Sequence, residues 1–329
     1  MTVLKWIWRL MRWGLCTIGV LALAAGLLLA VPLSQPPELA SIRAGALAID
    51  RTGLPEASRF YARDGSELAY RFYPAADGGT QKIVIFIHGS GGGSAGMNQI
   101  AKEFAANGFI VVAPDIRGHG GSGTRGDIGY FGQLDDDLED LITQLRQQFP
   151  GAHFGLLGFS SGGGFALRLA SGKLASNFDR LVLVSPYLNY DAPSTRSPET
   201  SARWANADKP RIITLAILRG VGLHCCEALP VVAFAVAAGS EKFVTAHYSY
   251  RLMANFAAPP NINVAFHTLK IPTTIIAGGQ DELMDSAKYA DIVRGIEPKI
   301  DVKIVPGLSH MDMLHMPAAI DAMLAALKE

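Results

Sequence analysis

The segment Gly158-Phe159-Ser160-Ser161-Gly162-Gly163 constrains this chain more than any other. It follows an apolar run, His153 to Leu157, with the composition of a buried strand, and leads into Phe165 to Ala170, with the composition of a helix. Gly-x-Ser-x-Gly between a strand and a helix makes a tight, strained turn that exposes the serine hydroxyl above the sheet. Glycines two residues before and two after the serine remove Cβ atoms that collide in such a turn. The helix N-terminus beside the hydroxyl favours negative charge. Ser161 does not fit the spacing, because Phe159 stands two residues before it. The chain carries 35 glycines, so the bland alternative is a glycine-rich turn packing a helix on a strand.

Strand-like and helix-like segments alternate around this turn. Ile83 to Ile87 is an unbroken apolar run, as expected of a strand buried on both faces of a parallel sheet. Phe109–Ala113, Leu181–Ser185 and Thr273–Ala277 also read as strands, Leu181–Ser185 as another buried one, and Val302–Val305 as a further strand. Leu134, Leu138, Leu141, Ile142, Leu145 and Phe149 recur at helical spacing. Asp135, Asp136 and Asp137 fall in that helix's first turn, where the dipole favours acids, and read as a helix start, not a metal site. Asp64-Gly65, between Arg59–Tyr61 and Leu68–Tyr73, is a hairpin signal. The pattern predicts an α/β fold, a mostly parallel sheet with helices on both faces, over residues 58–329. Residues from about 187 to 268 break the rhythm and are too long for an ordinary connection. Two helix-like apolar runs, Ile212–Leu223 and Leu229–Ala238, predict a helical cap insertion there.

Trp13 to Val31 is 19 residues without a charge, enough to cross a bilayer as a helix. Lys5, Arg9 and Arg12 precede it, so residues 1–12 are expected in the cytoplasm and all that follows the span outside it, on the periplasmic or extracellular side. Residues 32–57 read as a spacer. The competing expectation is a signal peptide, cleaved so that the protein is secreted. The apolar core of a signal peptide usually runs only about 7–15 residues, and Val31-Pro32-Leu33 is a poor cleavage site. Formal net charge is zero, so no nucleic-acid partner is expected. Cys16 and the adjacent Cys225 and Cys226 form neither a disulfide framework nor a metal spacing, and the adjacent pair reads as buried small residues.

A serine hydroxyl needs a base to take its proton, and the base needs an orienting acid. Three loops at the carboxyl ends of predicted strands carry such groups: Ser160, then Asp281, then His310. Asp285, Glu282 and Asp191 are alternative acids. Of the eight histidines, His310 alone has a Gly-x-x-His setting after a strand. His88 and His119 are expected to brace their own loops, His315 to pack locally, and His224, His247 and His267 lie in or near the cap.

With these residues in view, the chain from about 60 to 329 resembles the α/β-hydrolases, and within them the lysophospholipase and monoacylglycerol lipase-like serine hydrolases. The matching motifs are His88-Gly89, Asp115-Ile116-Arg117-Gly118-His119-Gly120, Gly158 to Gly163, Gly278-Gly279-Gln280-Asp281 and Gly307-Leu308-Ser309-His310. The resemblance implies Ser160 as nucleophile, His310 as base and then acid, and Asp281 as orienting acid. It implies an oxyanion hole from the backbone N–H groups of Ser90 and Ser161, and no metal or organic cofactor. The expected activity is hydrolysis of a carboxylic ester, a lipid or other acyl ester, through an acyl-enzyme. A peptidase or amidase of the same fold and a non-catalytic membrane-tethered binding protein are the alternatives. Oligomeric state is not legible.

Overall fold

The computed structural model describes residues 2–196, 203–237, 244–296 and 300–328. It opens on α1 (Thr2–Ala30). Lys5–Ala30 has a mean hydropathy of 2.1 and is not buried in the protein. Its 26 residues make a helix of about 39 Å, against a hydrocarbon core of about 30 Å. The expected span, 13–31, falls inside this helix but for Val31.

Residues 32–57 are not the bare spacer expected. They contain α2 (Ala40–Ala48), an alanine-rich segment of high helix propensity that buries Ile42. A Cβ on its Gly45 would lie 2.3 Å from the Met311 Cβ, so the helix sits hard against the body. Upstream, Ser34 O accepts from Asn206 Nδ2 at 2.7 Å, and Leu39 N–H donates to Ala235 O at 3.3 Å. The segment is therefore strapped across the insertion.

The sheet has eight strands: β1 (Ser58–Tyr61), β2 (Glu67–Tyr73), β3 (Lys82–Ile87), β4 (Ile110–Pro114), β5 (His153–Phe159), β6 (Arg180–Val184), then, past the insertion, Thr273–Gly278 and Asp301–Val305. Their spatial order along the chain numbering is β1-β2-β4-β3-β5-β6, followed by those last two strands. The first hairpin is antiparallel, β2 also pairs β4 antiparallel, and every other pairing is parallel. The helices α3 (Asn98–Ala106), α4 (Gln133–Gln148) and α5 (Ser161–Ser171) connect these strands. The unbroken apolar runs have their reason in two cores. Ile83, Ile85 and Ile87 of β3 pack on the side of Leu138 and Phe165, whereas Val84 and Phe86 pack with Phe104 and Met323 on the other.

The insertion leaves after β6 and returns to the strand beside it, so it is accommodated without disturbing the sheet. It is not wholly helical. It contains β7 (Ala205–Ala207), α6 (Lys209–Gly220), β8 (Pro230–Phe234), β9 (His247–Ser249), α7 (Tyr250–Asn255) and α8 (Ile262–Thr268). Strands β7, β8 and β9 form a small antiparallel sheet. The run Leu229–Ala238, expected to be helical, is strand β8 over Pro230–Phe234. The β-branched Val231 and Val232 suit a strand, Pro230 stands at its first residue where a proline is tolerated, and partners lie on both sides. Ala238 and residues 197–202 and 239–243 of the insertion lie outside the described residues. Cys225 and Cys226 are not a buried pair. Cys225 is exposed and Cys226 half-buried, in the loop after α6. The chain closes with β10 (Thr273–Gly278), α9 (Tyr289–Ile292), β11 (Asp301–Val305) and α10 (Pro317–Lys328).

Candidate active site

Ser160 stands between β5 and α5 with φ 54° and ψ −121°. Only Ser160 and Ser185 among the described non-glycine residues have positive φ. Such a conformation costs about 1–3 kcal/mol and persists only where the surroundings enforce it. The surroundings do so here. A Cβ on Gly158 would lie 2.3 Å from Gly162 O, and one on Gly162 would lie 2.3 Å from His88 O. The strand, the turn and the β3 end approach closely because those Cβ atoms are missing. Ser160 N–H is anchored to Val184 O of the neighbouring strand at 2.9 Å.

Asp281 follows β10 and His310 follows β11. Both are buried, 1% and 2% exposed. His310 Nδ1 lies 2.8 Å from Asp281 Oδ2. The other carboxylate oxygen, Oδ1, accepts the N–H groups of Leu283 at 2.9 Å and Met284 at 2.8 Å. Burial alone raises the Asp281 pKa. His310 beside it and the donated N–H groups outweigh burial, and the net shift is downward. The carboxylate therefore stays ionised at neutral pH, and its partner nitrogen carries the proton. The His310 ring lies against the Phe159 ring, 4.8 Å between centroids, next to the elbow. No hydrogen bond joins Ser160 to His310, a contact that often tightens only when substrate is bound.

Of the alternative acids, Glu282 does something else. Its Oε2 accepts the His310 N–H at 2.9 Å and fixes the backbone that carries the imidazole. Its neighbour Asp281 drew attention to it in sequence, but its role was not legible.

The loop after β3 lies over the elbow. Among the described residues, neither Ser90 N–H nor Ser161 N–H donates to a protein acceptor. Both are therefore free to bind an anion, and Ser161 is the first residue of a helix. The histidines read as braces are braces. His88 Nδ1–H donates to Gly89 O at 2.8 Å, and its Nε2 accepts from Ile116 N–H at 3.2 Å. Burial pushes the pKa of His88 down, and burial with the neighbouring His88 pushes that of His119 well down, so both rings are neutral. Arg117 makes a two-pronged pair with Asp137, at 2.8 and 2.7 Å, that ties the Asp115–Gly120 loop to α4. Of the three aspartates expected in the first turn of α4, only Asp135 and Asp136 lie there; Asp137 falls one residue later and serves the Arg117 pair instead. Among the described residues, no cluster of His, Cys, Asp and Glu could hold a metal ion.

A family model described as serine aminopeptidase, S33, matches residues 78–315. Human monoglyceride lipase is 32% identical over 125 residues, 37% of this chain and 40% of the lipase. An esterase of Mycobacterium tuberculosis is 37% identical over 118 residues, 36% of this chain and 35% of the esterase. The chain thus spans about two fifths of the length of these relatives. A soluble variant of monoglyceride lipase from Saccharomyces cerevisiae shares the fold with a TM-score of 0.60 and 18% identity, over 85% of this chain and 96% of the other. A bacterial membrane phospholipase A shares it with a TM-score of 0.56 and 16% identity, over 98% of both chains.

Proposed function

The chain belongs to the serine aminopeptidase S33 family of α/β-hydrolases, and we propose that it is a membrane-anchored serine hydrolase cleaving a carboxylic ester of a lipid. Ser160 is the nucleophile, His310 the base and then the acid, and Asp281 the orienting acid. The N–H groups of Ser90 and Ser161 form the oxyanion hole. The observation that carries this reading is the buried 2.8 Å contact of His310 Nδ1 with Asp281 Oδ2, beside an elbow that holds Ser160 at φ 54°.

Ser160 Oγ attacks the ester carbonyl as its proton passes to His310 Nε2. The carbonyl oxygen becomes an oxyanion facing Ser90 and Ser161, each donor contributing about 2.7–4 kcal/mol to the transition state. Collapse of the intermediate expels the alcohol, which takes the proton back from His310 Nε2 and leaves an acyl-Ser160. Water, deprotonated by the same nitrogen, attacks the acyl carbon; the C–Oγ bond then breaks, His310 Nε2 returns the proton to Ser160 Oγ, and the carboxylic acid is released. Asp281 stays ionised throughout and stabilises the imidazolium.

Three observations support a lipid ester at a membrane. α1 is long and apolar enough to span a bilayer. α6 packs beside α1 and turns Ile213, Ile217 and Val221 outward, 58%, 62% and 70% exposed. The relatives include proteins named for monoglyceride hydrolysis. Lys5, Arg9 and Arg12 ahead of the span support a hydrolase domain outside the cytoplasm. Sizing the mature protein separates this anchor from a cleaved signal peptide, which would remove about 30 residues.

The test uses the full chain in detergent. A fluorophosphonate should label Ser160, and Ser160→Ala should lose both labelling and turnover with its Tm retained. p-Nitrophenyl esters of graded chain length then place the acyl group. Turnover by Ser160→Ala overturns the mechanism, and preference for aminoacyl amides overturns the ester reading.

A further inference from the structure

Two aromatic side chains of the insertion end on the loop that carries Ser90. The Tyr248 oxygen, on β9, lies 2.9 Å from Gly91 N and 2.6 Å from His119 Nε2. The directions of these bonds follow from chemistry. His119 Nδ1 lies 3.0 Å from Ile116 O, and a carbonyl only accepts, so Nδ1 carries the hydrogen. Nε2 is then an acceptor, and Tyr248 O–H donates to it. The Tyr248 oxygen in turn accepts from Gly91 N–H. Trp204 Nε1–H donates to Ser90 Oγ at 2.9 Å, and Thr245 N–H to Gly91 O at 2.9 Å. Gly91 has φ 71°, and a Cβ there would lie 3.0 Å from Thr245 O. Trp204 stacks on Phe234 at 5.5 Å, and Phe234 meets Tyr248 edge-on at 4.7 Å, so the aromatic groups form one block.

From below, His88 Nδ1–H holds Gly89 O. A trans peptide is planar, so its N–H points opposite to its C=O. Fixing Gly89 O therefore aims Ser90 N–H. The peptide after Ser90 is fixed through Gly91 N–H by Tyr248. One side of Ser90 is thus held by the sheet and the other by the insertion.

We propose that Tyr248, with Trp204, is a positioning residue that aims the Ser90 N–H at the oxyanion. This rests on the serine-hydrolase reading above. It makes the oxyanion hole a joint product of the core sheet and the insertion, complete only while the small β7-β8-β9 sheet is docked.

Tyr248→Phe removes one oxygen and leaves Gly91 N–H and His119 Nε2 without their partner. Loss of one oxyanion donor lowers kcat about 10²–10³-fold, and tilting the donor forfeits part of that. The expected result is a fall in kcat of about tenfold or more, counted per titrated active site, with KM within twofold. The rate of fluorophosphonate labelling should fall by a similar factor, since that reaction also develops charge on the oxygen. Should Tyr248→Phe not fold, Trp204→Phe and Ser90→Ala each break the Trp204–Ser90 bond, and each should lower kcat several-fold at unchanged KM. Together in one chain they should cost no more than the larger single effect. Unchanged kcat in these variants, or a raised KM at unchanged kcat, overturns the proposal. Failure of the underlying reading looks different: Ser160→Ala would still turn over.

Discussion

Replacing Asp281 with asparagine preserves shape, and its surroundings dictate which way the new amide faces. Oδ1 receives the N–H groups of Leu283 and Met284 at 2.9 and 2.8 Å. Only the amide oxygen can meet two donors, so the NH2 group takes the place of Oδ2 against His310 Nδ1. Two donors cannot face each other. The imidazole must then carry its hydrogen on Nε2 and use Nδ1 as acceptor. In the proposed mechanism Nε2 takes the proton from Ser160, so the base would be disabled with the geometry intact. A wrong tautomer of this kind lowers kcat about 10⁴-fold in a serine protease, or about 5.4 kcal/mol at 1.36 kcal/mol per tenfold. KM should stay within a few-fold, because Asp281 lies under the imidazole and away from the acyl group. The assay is kcat on a short p-nitrophenyl ester, normalised by active-site titration, with Tm recorded alongside. Activity of Asp281→Asn within tenfold of the parent would refute the reasoning and transfer the orienting role to another carboxylate such as Asp285.

Gly158→Ala puts a Cβ 2.3 Å from Gly162 O and 2.7 Å from its carbon, both backbone. Urea unfolding should register a loss of at least about 1–3 kcal/mol, and an unchanged midpoint would contradict the close approach that shapes the elbow. The buried His88 and His119 have pKa values below the ordinary 6.5. The unfolded chain then binds more protons than the folded one as pH drops through about 6.5, and stability falls with pH. The slope approaches about 1.4 kcal/mol per pH unit for each histidine. A flat unfolding free energy between pH 7 and 5 would rule this out. Ile217→Glu charges the outward face of α6 and should lower hydrolysis of a lipid ester in vesicles about tenfold, in line with about 1.5–3 kcal/mol for one buried side chain. Hydrolysis of a soluble short ester should not change, and equal losses on both substrates would argue against a membrane role for that face.

What was legible in the sequence is what neighbours along the chain decide. The elbow announces itself because the steric demand falls on Gly158 and Gly162, within two residues of Ser160. The β3 run is legible because both its faces are buried, Asp281 because it stands in the turn after the buried β10, and His310 because it closes a Gly-x-x-His turn after β11, a half-exposed edge strand. The insertion failed where the local signal runs out. An apolar run such as 229–238 has no period to separate helix from strand, and β8 is a strand because β7 and β9, three residues each, come to flank it. α2 and its strap over the insertion depend in the same way on contacts with Met311 and Ala235 that no spacing announces. The oxyanion loop is the sharpest case. His88 and Gly89 lie beside Ser90 in sequence, but Trp204 reaches it across 114 residues and Tyr248 reaches Gly91 across 157. An aromatic residue in an insertion has no local mark that separates a packing group from one whose hydroxyl ends on a catalytic loop. The proposed nucleophile is therefore readable from six residues, whereas the direction of the N–H proposed to meet its oxyanion is set by groups that only the folded chain brings together.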